Sequence, residues 1–351
     1  MLLENYHPRS QLVTRVTPVD QPRFPLIDAH NHLGQAFGGG WDSKPLPQLL
    51  DLLDQAGVQH YVDLDGGWGE DILDRHLGYF KEHAPERFSI FGGVAWDHWK
   101  DLGEDFPAWA ATRLKMQKQR GAGGLKIWKS LGLHVRDEHD RLVSVDDERL
   151  NPVWETAGEL GLSVLIHIAD PVAFFDPIDE TNERWEELGH HPDWAFTSPP
   201  FPPFQQIIDG LFNLVRRHPR TTFIGAHVGC YAENLSFVGR MLDECPNYYV
   251  DVSARLGELG RQPYTARKFL IDYQDRVLFG SDMGPEPAEY RIWYRFLETD
   301  DEYFNYNTSI VPQQGRWHVH GLSLPDDVLR KIYHDNAARL LKLEEGSTQQ
   351  T

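Results

Sequence analysis

The chain is poor in cysteine and contains no long apolar run. Its 351 residues include two cysteines, Cys230 and Cys245, too few for a disulfide framework or a cysteine-rich zinc site. Its apolar runs, such as residues 162–169, are strand-length and fall far short of the ~18 residues that a membrane span needs. Residues 1–16 lack the apolar core of a signal peptide. We therefore expect a cytoplasmic protein with no membrane partner.

Positive charge is also scarce. Lys and Arg number 34 against 53 Asp and Glu, which gives a formal net charge of −19. A chain this negative repels phosphate backbones unless it carries a basic patch, and no run of Lys and Arg forms one. We therefore expect no nucleic-acid partner. The 40% of hydrophobic residues is enough for a large core and argues against global disorder.

Short apolar, β-branched runs recur along the chain, with amphipathic helical patterns between them. Near-continuous apolar runs are typical of strands in a buried parallel sheet. Eight such runs predict an α/β fold, a (β/α)8 TIM barrel. The alternative, a doubly wound open sheet, would be favoured by a GxGxxG turn after the first strand, and that turn is missing. The predicted strands are residues 25–33, 58–66, 88–96, 123–130, 162–170, 221–229, 247–254 and 276–284.

The domain organisation follows from this pattern. Residues 25–344 are predicted to form one barrel domain, preceded by an extended arm over residues 1–24 and followed by a disordered tail over residues 345–351. Long loops are predicted at the carboxyl-terminal face, where barrel active sites lie. They are rich in aromatic residues, which predicts either a covered, partly apolar pocket or a subunit contact. These loops are residues 131–147, 171–203 and 285–322.

Histidines and one aspartate occupy the predicted carboxyl ends of several strands. His30 and His32 lie at i and i+2 on the first strand, so both imidazoles point to the same side. His167, His227 and Asp282 end the fifth, sixth and eighth strands. Any one of these histidines alone is better explained as a satisfied core residue. Together, three or four imidazoles and a carboxylate suit one divalent metal ion, zinc above all, with manganese, iron or cobalt as alternatives.

These segments resemble the amidohydrolase superfamily, and within it the amidohydrolase-related branch that contains aminocarboxymuconate-semialdehyde decarboxylase. The resemblance rests on five segments: IDAHNHL (27–33), VLIHIAD (164–170), FIGAHVG (223–229), VLFGSDM (277–283) and IYHDNAARLLKL (332–343). It implies a metal-dependent enzyme acting on a small molecule, and it makes a homodimer an expectation.

Carried over by position, the resemblance implies that one metal ion is held by His30, His32, His167 and Asp282. His227 and Asp282 would then be the catalytic residues. The chemistry agrees, since Asp282 can accept the proton of a metal-activated water and His227 titrates near neutral pH.

Lys126, on the fourth strand, bears on the number of metal ions. Superfamily members with two metals carry a carbamylated lysine on this strand. Alternatively, an ordinary Lys126 ammonium binds a substrate carboxylate, or forms an ion pair with Asp63, Asp65 or Asp251, because a buried lysine without an acidic partner is costly. We favour one metal, with Lys126 contacting the substrate or supporting the site. Lys129 is expected to face the opposite way.

Other residues are candidates for the pocket. Asp28 is expected to orient a histidine of the first strand, as metal-bound imidazoles usually need an acceptor. Arg255, after the seventh strand, suits a substrate carboxylate, although a surface salt bridge explains it equally well. Trp96 follows the third strand and Trp68 the second, and both are candidates to line the pocket.

The reaction has three interpretations. The leading one is a metal-dependent hydrolase that uses a metal-activated water on a small ester, lactone or amide. The second is a non-oxidative decarboxylase or hydratase of a carboxylated ring or a muconate-like compound. Decarboxylases of hydroxylated benzoates in this branch often have glutamate where this chain has His30, which favours hydrolysis mildly. The third is a barrel that binds a ligand without catalysis.

Overall fold

Eight parallel strands form a TIM barrel, which confirms the predicted fold. The computed structural model describes residues 1–2, 9–37, 39–307 and 314–343. The strands are neighbours in sequence order from β1 to β8, and each lies inside one of the predicted apolar runs. They are β1 (Leu26–Asn31), β2 (Val58–Asp63), β3 (Phe88–Gly92), β4 (Gly124–Ile127), β5 (Ser163–Ile166), β6 (Phe223–Gly225), β7 (Tyr248–Asp251) and β8 (Val277–Leu278).

The first and last strands close the barrel through backbone hydrogen bonds. The amide of Ala29 donates to the carbonyl of Phe279 at 3.0 Å, and the amide of Asp282 donates to the carbonyl of His30 at 2.9 Å. The second bond lies at the carboxyl ends of the strands. It therefore brings a residue that follows β8 directly beside the histidines of β1.

A helix follows each strand and packs its apolar side against the sheet. In α1, Leu49 and Leu53 are fully buried, and Gly57 ends the helix with a φ of 78° that favours glycine. Two further helices, α9 and α10, follow near the carboxyl terminus. Apart from short helical segments in the loops after the strands, such as Leu256–Arg261, the helices are α1 (Leu46–Ala56), α2 (Glu70–His76), α3 (Phe106–Arg120), α4 (Asn151–Glu159), α5 (Phe204–Arg217), α6 (Leu235–Glu244), α7 (Pro263–Asp272), α8 (Pro287–Glu298), α9 (Asp326–Arg330) and α10 (Asn336–Leu341). Among the described helices, none is long and apolar enough to cross a lipid bilayer.

The prediction of one long loop over residues 285–322 is wrong in its first part, because α8 occupies Pro287–Glu298. Tyr290, Trp293, Tyr294 and Leu297 of this helix are fully buried. Their i, i+3, i+4, i+7 spacing is that of a helix that packs one face on the core. These aromatic side chains therefore belong to the core and not to a pocket.

The other two long loops contain short ordered pieces. Residues 131–147 form an antiparallel bridge between Arg136 and Leu142, and residues 171–203 contain a short helix over Trp185–His190. Both leave the carboxyl ends of their strands, β4 and β5, as predicted.

The amino-terminal arm is held along the barrel by side-chain contacts. Its described residues from 9 to 24 contain no helix or strand. The amide and hydroxyl of Thr17 each donate to Asp301 at 2.7 Å, and the amide of Arg23 donates to Glu298 at 3.0 Å. The predicted tail at 345–351 lies outside the described residues.

Candidate metal centre

The carboxyl ends of three strands bring imidazole nitrogens around one carboxylate. The carboxylate is that of Asp282, which follows β8. Its oxygens lie 3.2 Å from Nε2 of His32, 4.0 Å from Nε2 of His30 and 3.8 Å from Nε2 of His227. His30 on β1 and His32 just after it, which we call the β1 pair, are close enough to Asp282 for the three to hold one metal ion.

Each of these three imidazoles is held at its other nitrogen, Nδ1, by an oxygen that only accepts hydrogen bonds. Nδ1 therefore carries a hydrogen, and Nε2 is the nitrogen that faces Asp282. This is how proteins orient metal-bound histidines, because the second hydrogen bond fixes both the ring and its tautomer. The acceptors are Asp251 for His30 at 2.9 Å, Asp65 for His32 at 2.7 Å and the carbonyl of Ser253 for His227 at 3.0 Å.

This arrangement fits a divalent metal ion. Neutral imidazoles and one carboxylate are the donor set expected for zinc, manganese or iron. His30, His32 and Asp282 would hold the ion, with a further imidazole from His227 or His167. The structure contradicts the predicted role of Asp28, whose oxygens accept bonds from Asn31 at 2.6 Å and Tyr290 at 2.6 Å. Because those partners occupy its carboxylate, Asp28 joins β1 to α8 and leaves the His30 ring to Asp251.

His227 reaches the cluster through an unusual left-handed turn. Residues His227, Val228, Gly229 and Cys230 all have φ between 57° and 66°. A left-handed conformation costs an L-residue roughly 1–2 kcal/mol, so the surrounding structure must stabilise the turn. Asp251 does so, since the amide of His227 donates to its carboxylate at 3.0 Å. Strain of this kind is concentrated at functional sites.

His167 lies beside the cluster but does not face Asp282. Its ring packs edge-on against that of His227, with 4.4 Å between the centroids. Its Nε2 points toward Asp170, 3.5 Å from Oδ1, and makes no hydrogen bond with a described residue. The role of His167 as a ligand therefore stays a prediction, and His227 is the imidazole that shares the Asp282 carboxylate with the β1 pair.

Electrostatics favour an ionised Asp282. Burial alone would raise the pKa of the Asp282 carboxyl, but the neighbouring His30 and His32 hold that pKa well below its usual range. Burial lowers the pKa of His227, and the charges of His167 and Arg255 lower it further. His32 behaves differently: although burial lowers its pKa, hydrogen bonds with Asp282 and Asp65 raise that pKa to about 9.

Lys126 is a buried cation without a carboxylate partner among the described residues. Its Nζ lies 3.3 Å from Nε2 of His30 and 4.6 Å from the centre of the Trp128 ring. The alternative interpretation, an ion pair with Asp63, Asp65 or Asp251, is wrong, because histidines occupy these carboxylates. Burial lowers the pKa of the Lys126 ammonium to about 8.

Arg255 and Trp96 were both predicted as candidates for the pocket, and they lie in different surroundings. Arg255 is 5% exposed and donates to the carbonyl of Ala254 at 3.0 Å, so the surface salt bridge is ruled out. Trp96 packs against Trp99 and Phe106, with ring centroids 6.4 and 5.9 Å away. A pocket role for Trp96 stays a prediction.

Three aromatic side chains, Phe37, Trp68 and Trp128, form an aromatic cluster beside His32. Trp68 and Trp128 are stacked with centroids 3.9 Å apart, and Trp128 lies 5.3 Å from the His32 ring. Phe37 and Trp68 are 67% and 45% exposed. Sequence reasoning proposed Trp68 and missed the other two, although Trp128 lies two residues after Lys126 within the predicted strand 123–130, where alternation would place both on one side.

Lys129 is a third residue whose position was not predicted. It was expected to face away, but its Nζ forms an ion pair with Asp170, the carboxylate next to His167. Lys129 lies two residues beyond the end of β4, so the alternation of a strand no longer fixes its direction.

A sequence model of the amidohydrolase family matches residues 27–343. The match covers most of the chain, so the protein belongs to the amidohydrolase family, as the resemblance implied. No curated protein sequence matches the chain.

Solved structures share the fold at low identity. The 2,6-dihydroxybenzoate decarboxylase from Rhizobium has 16% identity and a TM-score of 0.56, over 91% of this chain and 99% of the other. The dihydroxybenzoic acid decarboxylase from Polaromonas sp. JS666, with bound manganese and 2-nitroresorcinol, has 17% identity and a TM-score of 0.55, over 91% and 97%. The 5-carboxyvanillate decarboxylase from Novosphingobium aromaticivorans DSM 12444, in complex with manganese, has 14% identity and a TM-score of 0.51, over 84% and 80%. At these identities the likeness establishes the fold.

Proposed function

We propose that the protein is a metal-dependent decarboxylase that removes a carboxylate from an aromatic ring without oxidation. One observation carries the proposal: Lys126, 1% exposed, lies beside His30 and is paired directly with no carboxylate of a described residue, although Asp282 and Asp251 are near enough to stabilise its charge. A buried cation needs an anionic partner, and a substrate carboxylate is the partner that this position would accept. The decarboxylases with the same fold support the choice of reaction.

The aromatic cluster supports an aromatic substrate. Phe37 and Trp68 present exposed ring surface next to His32, and ring–ring contacts favour a flat ligand by about 0.5–1.5 kcal/mol each. Arg255, which is buried and close enough to His227 for its charge to lower the His227 pKa, would bind a second polar or anionic group of the substrate, since guanidinium pairs well with planar oxygen groups.

A divalent metal ion held by His30, His32 and Asp282 would supply positive charge to bind an oxygen of the substrate. Lys126 would hold the carboxylate, and the aromatic cluster would orient the ring. Asp282 would take the proton of a substrate hydroxyl group, and His227, whose Nε2 lies 3.8 Å from the Asp282 carboxylate, would pass it on to the ring carbon that carries the carboxylate. The bond between that carbon and the carboxylate then breaks, CO2 leaves, and a proton from water restores the hydroxyl group. The manganese of the structural neighbours makes Mn²⁺ the ion to test alongside Zn²⁺.

Hydrolysis is the second candidate, and the β1 pair, His30 and His32, favours it, because imidazoles around a metal ion also activate water. The discriminating experiment offers the Mn²⁺- and Zn²⁺-loaded protein hydroxybenzoates labelled with ¹³C in the carboxyl group, and in parallel a panel of lactones, esters and amides. Release of ¹³CO2 supports decarboxylation. Acid release from the second panel alone contradicts it, and tight binding without any product supports the ligand-binding barrel.

Lys126→Met tests the observation that carries the proposal. Methionine keeps the length of the side chain and removes its charge, so we expect CO2 release to fall at least 100-fold while the metal content is unchanged. Lys268→Met, which removes an exposed lysine on α7, is the matched control. Full CO2 release by Lys126→Met would show that the cation has no part in binding the carboxylate.

A further inference from the structure

Three histidines of the site have a hydrogen-bond partner that fixes the imidazole ring, and His167 has none at its Nε2 among the described residues. His30, His32 and His227 each donate from Nδ1 to an acceptor at 2.7–3.0 Å. His167 makes no hydrogen bond from its buried Nε2 to a described residue, and the oxygen nearest to that nitrogen belongs to Asp170, at 3.5 Å. This distance exceeds the usual 2.7–3.2 Å of a hydrogen bond, yet contacts of this kind often shorten when a metal or substrate binds.

Asp170 is itself fixed from the other side. Its second oxygen, Oδ2, pairs with Nζ of Lys129, and the Lys129 ammonium also lies 5.3 Å from the centre of the Phe196 ring. The side chain of Asp170 is 12% exposed and that of Lys129 is 35% exposed. The pair therefore sits at the edge of the site, with one carboxylate oxygen bound and the other aimed at His167.

We propose that Asp170, anchored by Lys129, is the positioning residue for His167 and accepts the hydrogen of its Nε2. Asp170 would then do for His167 what Asp251 and Asp65 do for His30 and His32. With Nε2 occupied in this way, Nδ1 of His167 carries the free lone pair. The inference rests on the metal site of the proposed function, but its first test needs no metal ion.

The first test reads the tautomer of His167 in the metal-free protein at neutral pH. ¹⁵N NMR of histidine-labelled protein distinguishes Nε2–H from Nδ1–H, and His167→Gln identifies the signal. We expect Nε2–H in the wild type and a mixture of tautomers in Asp170→Ala. An Nδ1–H tautomer in the wild type, or the same tautomer in both proteins, overturns the inference whatever the protein catalyses.

The second test measures affinity for Zn²⁺ by competition with a fluorescent chelator. We expect Asp170→Ala to weaken binding about 10–100-fold, the usual effect of losing the partner of a metal-bound histidine. Lys129→Met should weaken it by a smaller factor, because Asp170 remains but loses its anchor. Asp272→Asn breaks the exposed Lys268–Asp272 pair on α7 and is the matched control, with no change expected.

The outcomes separate this inference from the proposed function. If wild-type protein binds no Zn²⁺, the metal site of the proposed function fails, while the tautomer still tests Asp170. If wild-type protein binds Zn²⁺ and folded Asp170→Ala binds it equally well, the inference alone is overturned. An unchanged affinity in Lys129→Met overturns the anchoring role of Lys129.

Discussion

The carboxylate of Asp282, which follows the last strand of the barrel, lies 3.2 Å from Nε2 of His32, which follows the first. The backbone bond from the amide of Asp282 to the carbonyl of His30 holds the two strand ends together. Closure of the barrel thus creates the contact, and the candidate site exists only in the closed fold.

We expect His227→Asn to lower turnover by about 10²–10⁴-fold, the usual contribution of a general acid or base, while the protein keeps its metal ion. Asparagine removes the imidazole and cannot take its proton. Steady-state kinetics measure the turnover, and elemental analysis measures the metal content. His167→Asn is the companion variant, and we expect it to lose the metal ion. If His227→Asn loses the metal and His167→Asn keeps it, then His227 is the metal ligand and His167 is the general acid or base, which contradicts the prediction.

We expect Trp68→Leu to raise KM for an aromatic carboxylate about three- to tenfold with little change in kcat, which corresponds to the ~0.5–1.5 kcal/mol of one aromatic pair. The aromatic cluster contributes to binding of the ring, and the bond that breaks lies elsewhere. Quenching of tryptophan fluorescence on ligand binding gives a second readout. Trp185→Leu, which removes an exposed tryptophan outside the cluster, serves as the control. An unchanged KM would contradict an aromatic subsite here.

The strands and the residues of the candidate metal site could be predicted because their signals are local. Runs such as VLIHIAD combine an apolar strand with a polar residue at its carboxyl end, and parallel strands bring those ends together. The same reasoning gave His30, His32 and Asp282. The same reasoning did not predict α8. The helical spacing of its buried aromatic residues lies within a stretch that was interpreted as one long aromatic loop.

The partners of the histidines could not be predicted in the same way. Three carboxylates lie on or just after strands: Asp28, Asp65 and Asp251. The stagger between neighbouring strands decides which carboxylate reaches which imidazole ring, and the sequence does not reveal that stagger. Phe37 and Lys129 were missed because their positions depend on loop conformations just beyond β1 and β4.

We expect Glu258→Gln to lower the free energy of unfolding by about 3 kcal/mol. Glu258 pairs with Arg184, and both side chains are 1% exposed, so the change leaves a buried guanidinium with Glu187 as its remaining partner. Urea denaturation measures the effect. The control is Glu183→Gln, whose side chain is 41% exposed in its pair with Arg261 and should cost less than ~1 kcal/mol. Equal losses in both variants would contradict a structural role for the buried pair.

His60 should make the fold sensitive to acid. Burial lowers the pKa of His60 from 6.5 to about 4, and its ring bonds to the carbonyl of Glu86 at 2.7 Å and the hydroxyl of Ser89 at 2.9 Å. Between these pH values the unfolded chain binds a proton that the folded protein excludes, so stability falls as pH falls. The cost at pH 5 is about 2 kcal/mol relative to pH 8.

His60→Gln removes this titration, so its stability should depend less on pH than that of the wild type. Urea denaturation at pH 8 and pH 5 gives the difference directly. His83→Gln replaces an exposed histidine and should show the pH dependence of the wild type. Identical pH dependence in the wild type and His60→Gln would contradict a buried, neutral His60.

The metal content of the purified protein tests the central claim most directly. Elemental analysis after reconstitution with Mn²⁺ or Zn²⁺ should give one equivalent per chain for the wild type and none for the double variant His30→Ala/His32→Ala, provided that circular dichroism shows both to be folded. Metal retained by the double variant, or no metal in the wild type, would contradict a metal centre at His30, His32 and Asp282. Two equivalents in the wild type would contradict the single-metal site and make Lys126 a carbamate bridge between two ions.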